Sequence, residues 1–165
     1  MLAAITNMKE LFTLLITCTV IQIVQAQSFV PAMPDTVDRG EVYSERNFPK
    51  TLGYVYLLSN YRVKSDFLSP VTYENSDRIV CAFSQDFSYG IQYTISECEE
   101  GRGRDESIAF PRMSTPAARA WIMNLYEDPK NTWIDEFRYE PPGAGCLYRI
   151  EQNAAKTIIH SYCGC

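Results

Sequence analysis

The chain has 165 residues, of which 46% are hydrophobic and 21% charged, and its formal charge is −5. Length and apolar content allow one domain with a hydrophobic core of its own. Acidity without a Lys/Arg cluster argues against nucleic acid and against a polybasic membrane surface, because both partners need gathered cations.

Residues 1–26 read as a cleaved secretory signal. Lys9 precedes the apolar run Leu11 to Val24, and Val24-Gln25-Ala26 forms the short-residue exit that a signal peptidase reads. The run is about 14 residues long, against the roughly 20 that a spanning helix needs. Met8-Lys9 offers an alternative start. Cleavage would expose Gln27, a residue able to cyclise to pyroglutamate, and would leave the charge at −5, since one Lys and one Glu depart together. No later segment has the length and apolarity of a membrane span. The expectation is therefore a secreted, extracellular protein.

Residues 27–50 carry Pro31, Pro34 and Pro49 with little periodicity and read as an extended lead-in. Residues 51–165 read as a single globular extracellular domain. Gly53 to Leu58 (GYVYLL) reads as a strand, and Tyr61 to Phe67 follows after a Ser59-Asn60 turn. Arg78 to Phe83 follows the turn-like Glu74-Asn75-Ser76-Asp77. Tyr89 to Glu97 alternates, with Ile91, Tyr93 and Ile95 on one face and Gln92, Thr94 and Ser96 on the other. That is the pattern of a half-buried antiparallel strand, and it pairs with Arg78–Phe83 as a hairpin.

One helix is predicted over about 114–128. Ser114 or Thr115 caps it, and Pro116 suits its first helical position. Ala118, Trp121, Ile122 and Leu125 form a core-facing stripe at i, i+3, i+4 and i+7, and Asp128-Pro129 ends it. Three more strands are expected. Thr132 to Tyr139 places Trp133, Phe137 and Tyr139 on one side. Cys146 to Glu151 and Lys156 to Tyr162 are joined by Gln152–Ala155. The Pro141–Gly145 stretch is a turn. This order predicts an α+β fold: a mainly antiparallel sheet with one amphipathic helix on one face, reinforced by disulfides.

Cys18 leaves with the signal. Cys81, Cys98, Cys146, Cys163 and Cys165 remain, and in an oxidising compartment they are disulfide candidates. Five is odd, so one thiol is free or bonded to a second chain. Cys163 and Cys165 flank Gly164 and would close a strained ring with each other, so the expected pairing ties two of Cys81, Cys98 and Cys146 to this tail. His160, Cys163 and Cys165 also form an H-x-x-C-x-C set of zinc- or copper-type donors. The spacing matches no standard zinc signature, and no metal is expected.

No catalytic residue is assigned, and no cofactor is expected. His160 is the one histidine, it lies in a predicted strand, and no G-x-S-x-G or cysteine-protease signature accompanies it. Glu97, Glu99, Glu100, Asp105 and Glu106 interleave with arginines, the mark of exposed mixed charge. The segment around Arg102, Arg104 and Asp105 is a possible interaction loop. A protease inhibitor could present such an arginine, although Gly101 and Gly103 work against the rigidity that role needs. The acidic groups do not follow EF-hand spacing. The chain has neither an Arg-Gly-Asp tripeptide nor an N-glycosylation sequon. Eleven tyrosines suit either extracellular recognition or strand formation.

The leading expectation is a secreted, non-enzymatic structural or recognition protein acting through surface contacts. Its partner would be another extracellular protein or a matrix component, with a disulfide-linked homodimer as one form. The alternatives are a secreted carrier with an apolar cavity between sheet and helix, and a small hydrolase or serine-protease inhibitor.

Overall fold

The computed structural model describes residues 28–34, 51–73, 80–98, 103–126, 133–140 and 145–164. The signal reading at 1–26, most of the lead-in, Arg102 and Cys165 lie outside the described residues.

Thr51 opens the first element. Its hydroxyl oxygen accepts the Tyr54 N–H, an N-cap bond, and α1 runs Leu52–Asn60. Gly53, Tyr54, Val55, Tyr56 and Leu57 are all buried. The strand expected at Gly53–Leu58 is thus a helix. A helix buried nearly all round shows a continuous apolar run without a 3.6-residue stripe, and periodicity cannot separate that run from a strand. Tyr61–Phe67 is not a strand either, and within it Val63 makes an isolated bridge to Phe87.

The strands are β1 (Leu68–Thr72), β2 (Val80–Asp86), β3 (Gln92–Ser96), β4 (Arg104–Pro111), β5 (Arg138–Tyr139), β6 (Cys146–Gln152) and β7 (Lys156–Cys163). They form one seven-stranded sheet in the order β1-β2-β3-β4-β7-β6-β5. Every pairing is antiparallel. The expected hairpin is β2–β3, with Ile91, Tyr93 and Ile95 buried. The second expected pair is β6–β7.

The helix α2 spans Thr115–Tyr126 and buries Ala118, Trp121, Ile122 and Leu125, the predicted stripe. Ser114 is its cap, accepting the Ala117 N–H at 3.3 Å, so Pro116 stands second rather than first in the helix. Among the described residues there are two α-helices, not one, and both cover the same face of the sheet. Tyr54 of α1 packs on Phe83 and Tyr93, Trp121 of α2 packs edge-on to Phe110, and Tyr56 joins the helices by packing on Trp121.

The strand expected at Thr132–Tyr139 folds back on itself instead. Trp133 bridges Tyr139, while Phe137 is exposed and Tyr139 is fully buried. Asp135 turns this corner, its carboxylate accepting the N–H groups of Phe137 and Arg138 and the Arg138 Nε. The Phe137 and Arg138 bonds hold its carboxyl below the usual range. The Arg119 guanidinium lies 4.3 Å over the Trp133 ring and links α2 to the corner.

Candidate functional site

Two disulfides close one end of the sheet, on the helix-covered face. They join Cys81 to Cys98 and Cys146 to Cys163, each with a sequence separation of 17. The expectation that two of Cys81, Cys98 and Cys146 reach the C-terminal tail is corrected: only Cys146 does. The cause is topological. Cys146 and Cys163 are direct partners in β6–β7, whereas β4 stands between β3 and β7 and separates the tail from Cys81 and Cys98. The bond to Cys146 also takes the Cys163 sulfur out of the H-x-x-C-x-C donor set.

Arg104 and Asp105 lie in β4 rather than in a loop, and strand alternation sends them to opposite faces. Arg104 turns to the covered face, where Nη2 approaches Cys163 Sγ at 3.5 Å. Asp105 is exposed on the open face opposite Tyr162, which is 46% exposed. The two do not act as one charged patch. Arg104 is also lost as a loop arginine for a protease.

Next along β4, Glu106 points into the core and is 8% exposed. Thr51 Oγ1 donates to its Oε1 at 2.6 Å, and Ser161 Oγ donates to Oε2 at 3.2 Å. Tyr93 OH lies 3.1 Å from the Thr51 hydroxyl. The carboxyl therefore sits at the N-terminus of α1, where the helix dipole favours an anion. Burial nevertheless raises its pKa, against the lowering effects of Thr51, Arg104 and Ser161. Burial and the Glu106 charge together raise Tyr93. Sealed from solvent, this cluster pins α1 to the sheet and is not placed to receive a substrate. Beside it a cavity of about 10 Å³ lies between the helices and the sheet, lined by Gly53, Glu106, Trp121, Tyr148 and Ser161 among others. That is the room of one water molecule.

His160 stands on the open face with Ser107 opposite it on β4 and Arg149 opposite it on β6. Its Nε2 is 3.3 Å from Glu151 Oε2. Serine, histidine and glutamate thus share one neighbourhood. Ser107 sits in mid-strand, however, and its backbone belongs to the β3–β4–β7 ladder, which leaves no free N–H pair to serve as an oxyanion hole. The arrangement is a histidine–glutamate contact on the open face of a sheet and lacks the parts of a hydrolytic site.

The opposite end of the sheet carries a second concavity. A groove of about 800 Å³ opens there, lined by Phe29, Arg112, Met113, Thr115, Gln152 and Ala155 among others. Ser28 and Phe29, from segment 28–34, form one wall. Phe29 N–H bonds Arg112 O, Ala32 N–H bonds Tyr61 OH, and Tyr56 OH bonds Ala32 O. Burial, and then the Tyr61 bond, push the Tyr56 hydroxyl far above the usual tyrosine range. Next to this wall is the β2–β3 turn, where Tyr89 has φ 63° and Gly90 φ 72°. Tyr89 is 74% exposed. Sequence reading missed the whole end. The available signal was Tyr89-Gly90 between two alternating runs, a dipeptide in the place where Asn-Gly normally makes a two-residue hairpin turn.

The tyrosines divide unevenly. Tyr54, Tyr56, Tyr61, Tyr93, Tyr139 and Tyr148 are core residues, while Tyr89 and Tyr162 are exposed. No family model, curated protein or solved structure matches the chain.

Proposed function

We propose that this chain is a secreted, disulfide-reinforced, non-enzymatic recognition protein that acts through its surface on another extracellular protein or a matrix component. The observation that carries the reading is the filled interior. Between helices and sheet the cavity is about 10 Å³, against the several hundred that a small-molecule site occupies. A carrier of an apolar ligand needs that space, and here Trp121, Tyr56, Phe110 and their neighbours fill it. Among the described residues, the 800 Å³ groove and the large exposed apolar side chains lie on the outside. Two disulfides support export, since such bonds persist in oxidising compartments. No helix among the described residues is long and apolar enough to cross a membrane.

The two bridges use four of the six cysteines, and Cys18 lies in the proposed signal. Cys165 is then the thiol available for a bond to a second chain. The test is expression in secreting eukaryotic cells, followed by native mass spectrometry and non-reducing electrophoresis. The expected product starts at Gln27, keeps both internal bridges, carries no small molecule, and forms a doubled mass that reductant or Cys165→Ser abolishes. A chain retained in cells with its leader and reduced thiols would overturn the secreted reading. A stoichiometric apolar ligand would overturn the recognition reading.

A further inference from the structure

The turn end of the sheet collects features that neither the core nor the disulfides require. Tyr89 holds a large ring out in solvent from a left-handed backbone, a conformation that bulky L-residues avoid and that tends to persist where function selects it. Phe29 stands 6.3 Å from the Tyr89 ring and stacks on Phe110 at 6.0 Å, so the exposed aromatic adjoins an apolar floor. Val30 and Met33, on the same segment as Phe29, are 76% and 50% exposed.

Cations gather around it although the chain is acidic. Arg112 lines the groove and is exposed, its guanidinium also donating to Asn153 O. Lys156 Nζ donates to Gly90 O at 2.8 Å, directly under the Tyr89 turn. Arg62 is exposed beside the same turn, where its carbonyl accepts the Ser88 N–H. Ser114 and Thr115 bring the N-terminus of the 12-residue α2 to the groove, adding the positive end of its dipole. Asp86 is the carboxylate next to the turn, and its Oδ1 accepts from Gln92 Nε2.

We propose that this groove and the Tyr89 turn dock an extended acidic segment of a partner protein, with carboxylates on Arg112, Lys156 and the α2 N-terminus and an apolar side chain against Phe29 and Tyr89. The inference rests on the recognition reading and names its surface and the chemistry of its partner. The fit is electrostatic as well as steric. An 800 Å³ groove accommodates several residues of extended chain, and Arg112 in its lining with Lys156 at the adjoining turn complements carboxylates.

The test uses the secreted, oxidised protein labelled with ¹⁵N and two synthetic probes, the capped hexapeptides Glu-Glu-Leu-Phe-Glu-Glu and Lys-Lys-Leu-Phe-Lys-Lys. The expected result is saturable amide shifts at Phe29, Tyr89, Arg112 and Thr115 with the acidic peptide alone. Arg112→Glu with Lys156→Glu should weaken binding at least tenfold, and Tyr89→Asn at least threefold, each with an unchanged core spectrum. If the double variant perturbs the core, Arg112→Gln replaces it and should weaken binding at least threefold. Equal binding of the lysine peptide overturns the proposal, and so does saturable binding by neither peptide. Shifts centred on Thr94, Ser107 and His160 also overturn it, while leaving the recognition reading standing. Failure of that reading shows separately, as a co-purified ligand in native mass spectrometry.

Discussion

Gly53 passes β4 so closely that a Cβ placed there would lie 2.7 Å from Glu106 Oε1 and 2.9 Å from Ile108 Cδ1. The carboxylate is held by Thr51 and Ser161 and cannot retreat without losing a bond. Gly53→Ala should therefore destabilise the fold. Overpacking costs about 1–3 kcal/mol, against about 1 kcal/mol gained in helix propensity, so the clash wins. A urea midpoint at or above that of the parent would refute this account of the contact. Glu106 is the other side of the same contact. The folded protein holds its proton more tightly than the unfolded chain does, whose value is 4.5. Stability from this group is then full below the unfolded value and is lost as pH rises through the raised folded value. Glu106→Gln keeps an acceptor for Thr51 and removes the group whose ionisation costs stability as pH rises. It should therefore flatten the pH dependence, and thermal melts of parent and variant at pH 4 and pH 7.5 read the effect. The strand that holds Glu106 was hidden because Arg104, Asp105 and Glu106 together look like solvated charge. Only the alternation of Glu106, Ile108 and Phe110 marks a covered face, and a buried glutamate is the residue least expected in that pattern.

The secondary-structure elements differ in how openly the chain declares them. The helix α2 is legible because one stripe is apolar and its other sides are not. Its neighbour α1 is opaque because it is buried from Gly53 to Leu57, and only the Thr51 cap distinguishes it from a strand. The β2–β3 hairpin is legible from alternation, but its turn is not, since Tyr89 takes a position that Asn normally fills. Left-handed backbone costs an ordinary L-residue about 1–2 kcal/mol. The Tyr89 ring lies 6.3 Å from both Phe29 and Tyr61, so each ring pair interacts weakly. Tyr89→Asn should therefore raise stability by about 0.5–1 kcal/mol, because the strain it relieves outweighs the two weak ring interactions it removes. Chemical denaturation of the parent and the variant reads this directly. A lower midpoint for the Asn variant would show that the exposed ring contributes more than its backbone costs.

For the molecule as a whole, antiparallel pairing decides the covalent topology. The strand order puts the second hairpin on the far side of β4, so each bridge closes its own half of the sheet. Cysteine spacing alone leaves the pairing open, because connectivity depends on which strands are neighbours, and the charged start of β4 disguises it as a loop. Loops of this length make each bridge worth about 3 kcal/mol on the chain-entropy model, so removing either pair as alanines should lower the melting temperature without abolishing the fold. The bridges should separate by access rather than by loop length, because their sequence separations are equal. Cys81 is fully buried and its partner Cys98 partly exposed, while both Cys146 and Cys163 are partly exposed at the end of β6–β7, so the first bridge offers one approachable residue and the second two. Thiol exchange needs the attacking thiolate to reach a sulfur atom. Graded reduction followed by alkylation and peptide mapping should label Cys146 and Cys163 before Cys81 and Cys98. The reverse order would mean that the β2–β3 half opens first and that the edge strand β1 protects its hairpin less than the helix-covered position of Cys81 implies.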